Sequence, residues 1–455
     1  MLKDFHRNNN KKMIEFSLLS SIQCYIKRDK FIGMLTFLFA EADTLVVKGS
    51  SKPCHIAIKT QGMTNKFEYV EQIVTADLND SLKFDTKESS GPCLYTVEIK
   101  TQQLNEGTHK FQIDVIEQAT QQLKHRMEVI YKLKHHNVRD LSHQISNFIF
   151  EKIQGSKGHF TSKIAFVRKY KTGPAKTKIF ISDYDGENQK FLLESREIMM
   201  GLTFSKCGQF LAYRSLHPRK GQSIWLYDLQ HQTNINLSEV LKNQLQRNLF
   251  GKNISALSLG HTPDEILFAR SFKGSTTLHS YNRKTGQLAS LTQPQKYIIQ
   301  TCPVKLSDGK SLLFSADASG HESIYYAKNG ETVILATNDV LDFSQPKVCE
   351  NTKGKNRIFF SGRGKGFSSI WYIDENLYTQ KIDDQPTPIV TMKRPFFLEK
   401  PCPTKNGLYV VYLQQGLNYN GVMMTDIKGN QIMKSDSNAP ILSGLGVNVT
   451  DVAVY

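Results

Sequence analysis

A six-bladed β-propeller behind a small α/β domain is the fold this sequence predicts, on three observations. First, one unit keeps returning between Lys163 and Lys434: a bend with Gly, Asp or Asn, a short apolar strand, a polar hairpin, a second strand and another turn. Its clearest copy runs through Val304–Ser315, bent at Asp308 and Gly309, to Ser323–Gly330 and Val333–Ala336. Others begin at Leu202, Thr262, Thr352 and Thr404. A spacing of roughly 45–55 residues built from short strands is that of four-stranded blades, which cannot each bury both faces alone. Second, the partner strands echo one another in Lys178–Gly186, Ser223–Asp228, Ser369–Asp374 and Val422–Gly429. Third, the strand pair Ser162–Val167 and Lys178–Ser182 has no inner strand of its own, while Ile441–Tyr455 carries the strand-like Val447–Val449 and Val452–Val454. Placing the chain's end in the first blade removes an open sheet edge. The rival is a β-sandwich with long insertions.

A chain of 455 residues is too long for one core, so two domains are expected. Residues 1–42 read as a signal peptide with an extended leader. The basic run Lys27–Lys30 precedes the apolar Phe31–Ala40, and Ala40 and Ala42 form a small-residue cleavage site. The apolar run is too short to span a bilayer. Met13 is a more ordinary start than Met1, and the other reading of the run is a buried strand or helix. Residues 43–158 lack the repeat. Leu45–Val47 and His55–Ile58 read as strands, and Phe67, Val70, Ile73, Val74, Leu78 and Leu82 follow helical spacing. Leu94–Ile99, Lys110–Ile116 and Arg126–Tyr131 alternate as a meander, turning first at Asn105–Gly107. Asn137 caps a second helix with Val138, Leu141, Ile145, Phe148 and Ile149 on one face, ending before the linker Gly155–Gly158. The propeller then occupies residues 159–455.

Lys and Arg number 58 against 42 Asp and Glu, a net charge of +16. The basic residues are spread along the chain, which is the pattern of a solvated surface rather than a binding run. A nucleic-acid binder would add aromatics interleaved with basic residues, and no such signature occurs. Seven cysteines at scattered spacings, without C-x-x-C, allow disulfides but read mostly as small buried residues. No G-x-S-x-G nucleophile elbow is present. Gly362, Gly364 and Gly366 mimic a phosphate loop, yet they join two strands and read as a hairpin turn. His125, His135, His136 and His143 lack ligand spacing and carboxylate support, so they read as a solvated helix entrance and not as a metal site. Asp264, Asp308 and Asp374 fall where Asx turns form. No cofactor or metal is expected.

The leader, the helix Glu68–Phe84, the junction Phe148–Val167 and above all Ile181–Gln189 together resemble the TolB family of the Tol–Pal system in Gram-negative envelopes. The resemblance covers nearly all of residues 43–455. It implies a periplasmic, monomeric binding protein that bridges two partners and performs no catalysis. The segment Asp43, Thr44, Leu45, Val46 and Val47 would engage TolA, adding as a strand to its sheet edge. The propeller channel mouth would bind the lipoprotein Pal, at the positions entering each innermost strand: Met200, Asn253, Ala256, Thr301, Gln345 and Lys400. Other outer-membrane proteins join the expected partners, and nucleic acid does not. The chain departs from the family in its bends at Ser205–Gly208, His261–Asp264 and Thr352–Gly354, and in its ending Val452–Tyr455. The alternative is a propeller hydrolase or lyase, which needs two carboxylates or a His/Asp pair at the same mouth.

Overall fold

The computed structural model describes residues 53–455 apart from 65–66, 87–91, 134–136, 174–175, 245–253, 294–297, 375–385 and a few single and paired positions. All described residues belong to one compact unit. Among them, no helix is long and apolar enough to cross a membrane.

The N-terminal part is a five-stranded sheet with two helices. Its strands β1 (Cys54–Gln61), β2 (Phe84–Asp85), β3 (Tyr95–Asn105), β4 (Thr108–Glu117) and β5 (Gln122–Lys132) lie in the order β2-β1-β3-β4-β5. β1 runs parallel to its neighbours, and β3 to β5 form the expected antiparallel meander. Helix α1 (Glu68–Asp80) buries Val70, Val74 and Leu78. Helix α2 (Val138–Gln154) buries Leu141, Ile145 and Ile149. These meet Val97, Ile99, Phe111, Ile113 and Val115 from the sheet in one core. The ends of α2 are set by its own residues. The Asn137 side chain accepts from the Arg139 amide at 3.0 Å, and Gly155, at φ 69°, donates to the Glu151 carbonyl at 3.0 Å.

Six sheets follow. Strands β6 (Lys163–Lys169), β7 (Thr177–Asp183) and β8 (Lys190–Ser195) take their inner strand from the chain's end, β28 (Val449–Val454), in the order β28-β6-β7-β8. The other inner strands are β9 (Ile198–Phe204), β13 (Ile254–Leu259), β17 (Gln300–Lys305), β21 (Asp342–Glu350) and β25 (Phe397–Pro403). Four of these sheets have four strands each, and that of β25 has three. Each inner strand touches the next, and β28 touches both β25 and β9, so the ring closes. The closing strand begins at Val449, later than the sequence pattern suggested, because Asn448 adopts a left-handed φ of 67°. Residues 362–366 are the expected hairpin, with the Gly364 amide donating to Phe367. A short third helix, α3 (Leu237–Gln244), was not foreseen; it buries Leu237 and Leu241 between two blades.

The segment expected as a linker is pinned rather than loose. A Cβ on Gly158 would lie 2.1 Å from the Asn147 side chain, and the Lys157 carbonyl accepts from Asn406 Nδ2 at 3.0 Å. Phe150, Phe160, Tyr184 and Tyr409 carry the N-terminal core on into the propeller.

Two expectations are corrected here. The cysteines read mostly as small buried residues, yet of the six described, all of them free, only Cys402 is buried, Cys207 is exposed and Cys54, Cys93, Cys302 and Cys349 are half-buried. His143 is not at a solvated helix entrance but 1% exposed, because α2 lays that face against Asp77 of α1 and against Asp183 and Tyr184 at the end of β7. His125 is exposed, and His135 and His136 lie outside the described residues.

Candidate functional site: a ring of bulged inner strands

All six inner strands break register at one level. The shifts fall opposite Ala212–Arg214 on β9, between Ile254 and Ala256, Thr301 and Val304, Ser344 and Lys347, Glu399 and Cys402, and Val449 and Asp451. Gly201, Cys302, Gln345 and Lys400 take left-handed φ values of 69°, 50°, 58° and 55° there. Three of these residues precede a proline: Pro303, Pro346 and Pro401. A bulge leaves a residue outside the ladder, which is where a strand tolerates a missing N–H. A left-handed non-glycine residue costs about 1–2 kcal/mol, so the ring packing must hold these in place.

The bulges open a chamber of about 120 Å³ to which each inner strand contributes: Gly201, Ala256, Cys302, Gln345, Lys400 and Asp451. Asp451 is 1% exposed and organises it. Its carboxylate accepts from the amides of Gly201 and Val452 and from Lys400 Nζ at 2.7 Å. The Gln345 side-chain oxygen accepts from the Lys400 amide at 2.6 Å. Neighbouring blades are thus tied around the axis through the polar side chains of Asp451, Lys400 and Gln345. Thr301 sits beside the chamber, its hydroxyl 2.8 Å from Ser315 Oγ and donating to Glu322 at 3.4 Å. Burial raises the Glu322 carboxyl above its ordinary value and lowers the Arg214 guanidinium. Burial also raises the Cys302 thiol and pushes Cys402 up to about 11. Both therefore stay protonated at neutral pH, unlike reactive cysteines.

Of the expected mouth residues, Ala256, Gln345 and Lys400 line this chamber. Met200 adjoins Gly201 and pairs with Arg214 in the ladder, and Thr301 adjoins Cys302. They lie within the strands, at the bulges, and not ahead of them. Asn253 lies outside the described residues, as do Asp43, Thr44, Leu45, Val46, Val47, Ala40 and Ala42. Gly201, Cys302 and Asp451 were missed. The signal that pointed to Cys302 was a proline inside an apolar run; nothing local marked Asp451.

A second charged group joins α1 and α2 to the first blade. His143 Nδ1 lies 2.8 Å from Asp77, and its Nε2 3.7 Å from Asp183. Tyr184 donates to the other Asp77 oxygen at 2.8 Å. Arg139 pairs with Asp183 at 2.9 Å and with Asp185, and Lys163 reaches Asp183 at 2.6 Å. Burial disfavours protonation of His143, but Asp77 and Asp183 outweigh it and hold the ring up to about 9. The ligand atoms of His143, Asp183 and Asp185 come within 4.8 Å of one another. Arg139 and Lys163 already supply the positive charge that a metal ion would bring.

A closed six-bladed propeller with an α/β part in front defines the class of protein: a two-part β-propeller whose channel is lined by a residue from every inner strand. A family profile described as "TolB beta propeller domain" matches residues 150–439. The chain belongs to that TolB β-propeller family. The Tol-Pal system protein TolB of Francisella tularensis subsp. tularensis (strain WY96-3418) is 24% identical over 442 residues, covering 90% of this chain and 97% of that protein. The TolB of Histophilus somni (strain 2336) is 37% identical over 100 residues, 22% of this chain and 23% of that protein. The crystal structure of TolB from Acinetobacter baumannii superposes with a TM-score of 0.70 at 20% identity, covering 90% of this chain and 98% of that one.

Proposed function

We propose that this chain is a periplasmic scaffold of the Tol–Pal system that acts by binding and has no chemistry of its own. The bulged side of the channel docks the lipoprotein Pal, and the segment Asp43–Val47 engages TolA. Bridging the two as a monomer maintains outer-membrane integrity and constriction at division. The observation that carries this reading is the ring of bulges, since it aims side chains from every blade at one axis on a rigid frame. Membership of the TolB family and full-length relatives named for the Tol-Pal system supply the partner class. A hydrolase or lyase reading finds little support in the chamber: Asp451 is consumed by two amides and an ammonium, and the two thiols are held protonated.

The test is affinity capture from envelope extract with the tagged protein and with a Thr301→Arg, Gln345→Arg version. Pal is expected with the first and not the second. Recovery by both would move the Pal site elsewhere, and recovery by neither would sink the Pal reading.

A further inference from the structure

Past the bulges, toward the ends of the inner strands, the channel widens into a chamber of about 390 Å³. Four lysines from different blades line it: Lys206 in the turn after β9, Lys305 at the end of β17, Lys347 on β21, at the boundary where it also lines the bulge chamber, and Lys405 in the turn after β25. Glu350 is the one acidic side chain among its lining residues. Lys305 is already paired with Glu265. Among the described residues, Lys347 and Lys405 have no carboxylate partner; Lys405 instead lies 3.5 Å from the centre of the Tyr455 ring. Burial lowers the Lys206 ammonium below its ordinary value even though Asp308 and Glu350 act to raise it. Between the lysines the wall is apolar at Leu202, Leu259, Val304 and Val348 and polar at Ser205, Ser258, Ser307 and Asn356.

Ammonium groups around a partly apolar wall favour a ligand that brings both carboxylates and apolar surface. A naked phosphate would satisfy the lysines and leave the wall bare. A concavity of this size admits side chains and has no room for a nucleic-acid helix. We propose that this chamber is a second docking site, at the end of the channel away from the Pal-facing side, for an acidic and partly apolar segment of a partner protein. Its carboxylates meet Lys206, Lys347 and Lys405, and its apolar side chains rest on Leu202, Val304 and Val348. Asn406, next to Lys405, holds the Lys157 carbonyl, so the occupant sits beside the junction with the N-terminal helices. The site stands whether or not Pal binds at the bulges.

The experiment is fluorescence anisotropy of the full chain with a fluorescein-labelled peptide alternating Glu and Leu, at low and moderate salt. A Lys/Leu peptide, inorganic phosphate and a single-stranded oligonucleotide serve as comparisons. Binding of the Glu/Leu peptide is expected to weaken about tenfold or more in Lys347→Glu, and also in the exposed pair Lys206→Gln, Lys405→Gln, whose far-ultraviolet spectrum and melting should match the parent. Thr301→Arg should leave it unchanged, which separates this site from the Pal surface. No binding of the peptide, or binding indifferent to all three lysines, overturns the proposal. Tighter binding of the oligonucleotide or phosphate through the same lysines overturns the ligand class.

Discussion

At the scale of single residues, the charged group around His143 is where burial and charge oppose each other most directly. A histidine that is 1% exposed would shed its proton if burial alone acted, yet Asp77 at 2.8 Å keeps it charged. His143→Gln strands Asp77 without its cationic partner and is expected to cost about 3–5 kcal/mol, read as a lower urea midpoint at unchanged slope. The pH dependence follows. The folded value of His143, about 9, lies above that of a free histidine, so its contribution is complete below about 6.5 and fades as pH rises toward 9. His159 behaves oppositely. Burial, aided by the nearby His143 charge, pushes it down to about 3, so stability falls as pH drops below the free value. Melting temperatures measured from pH 4 to 10 should decline on both sides. His143→Gln should flatten the alkaline limb and His159→Phe the acid limb; limbs unchanged by either would refute the assignment.

At the scale of elements, the closing strand β28 carries more than its length suggests. It completes the first sheet against β6 and contributes Asp451 to the chamber. Val452, 1% exposed and paired with Phe166, is its anchor. Val452→Asp puts an unpaired charge in the core and should cost about 4 kcal/mol or more. Removal of residues 447–455 should leave the β6 edge open and the protein aggregated on size exclusion. A monomeric, cooperatively melting truncation would show that the ring does not need this closure. The bulges explain why the expected binding residues lie deeper than the strand starts. A strand's period of two says which residues face the axis in a regular ladder, and the extra residue at each bulge changes that count.

For the whole molecule, the α/β part and the propeller are joined by polar groups as well as by shared core. Tyr409, fully buried on β26 (Tyr409–Gln415), donates its hydroxyl to the Ser81 carbonyl at 2.6 Å across that junction. Tyr409→Phe leaves this carbonyl unpaired and should cost about 1–3 kcal/mol. If the junction opens as one unit, limited proteolysis should cut faster within residues 155–158 while the blades stay resistant. Equal protection in parent and variant would mean that the shared core alone holds the two parts together.

Much of this architecture was legible in the sequence, because blades, meander and helices are written in local periodicity and turn chemistry. Asn137 and Gly155 mark the ends of α2 by chemistry that needs no distant partner. The closing strand was legible too, since a blade without an inner strand needs one from elsewhere in the chain. What the tertiary structure alone decided are the groups made of residues far apart in sequence. Asp77 meets His143 and Asp183, and Lys206, Lys305, Lys347 and Lys405 line one chamber, only because the ring closes. Asp451 meets Lys400 across a blade boundary for the same reason. Local pattern fixes which face each strand presents, whereas the partners across that face are set by how the blades pack around the axis.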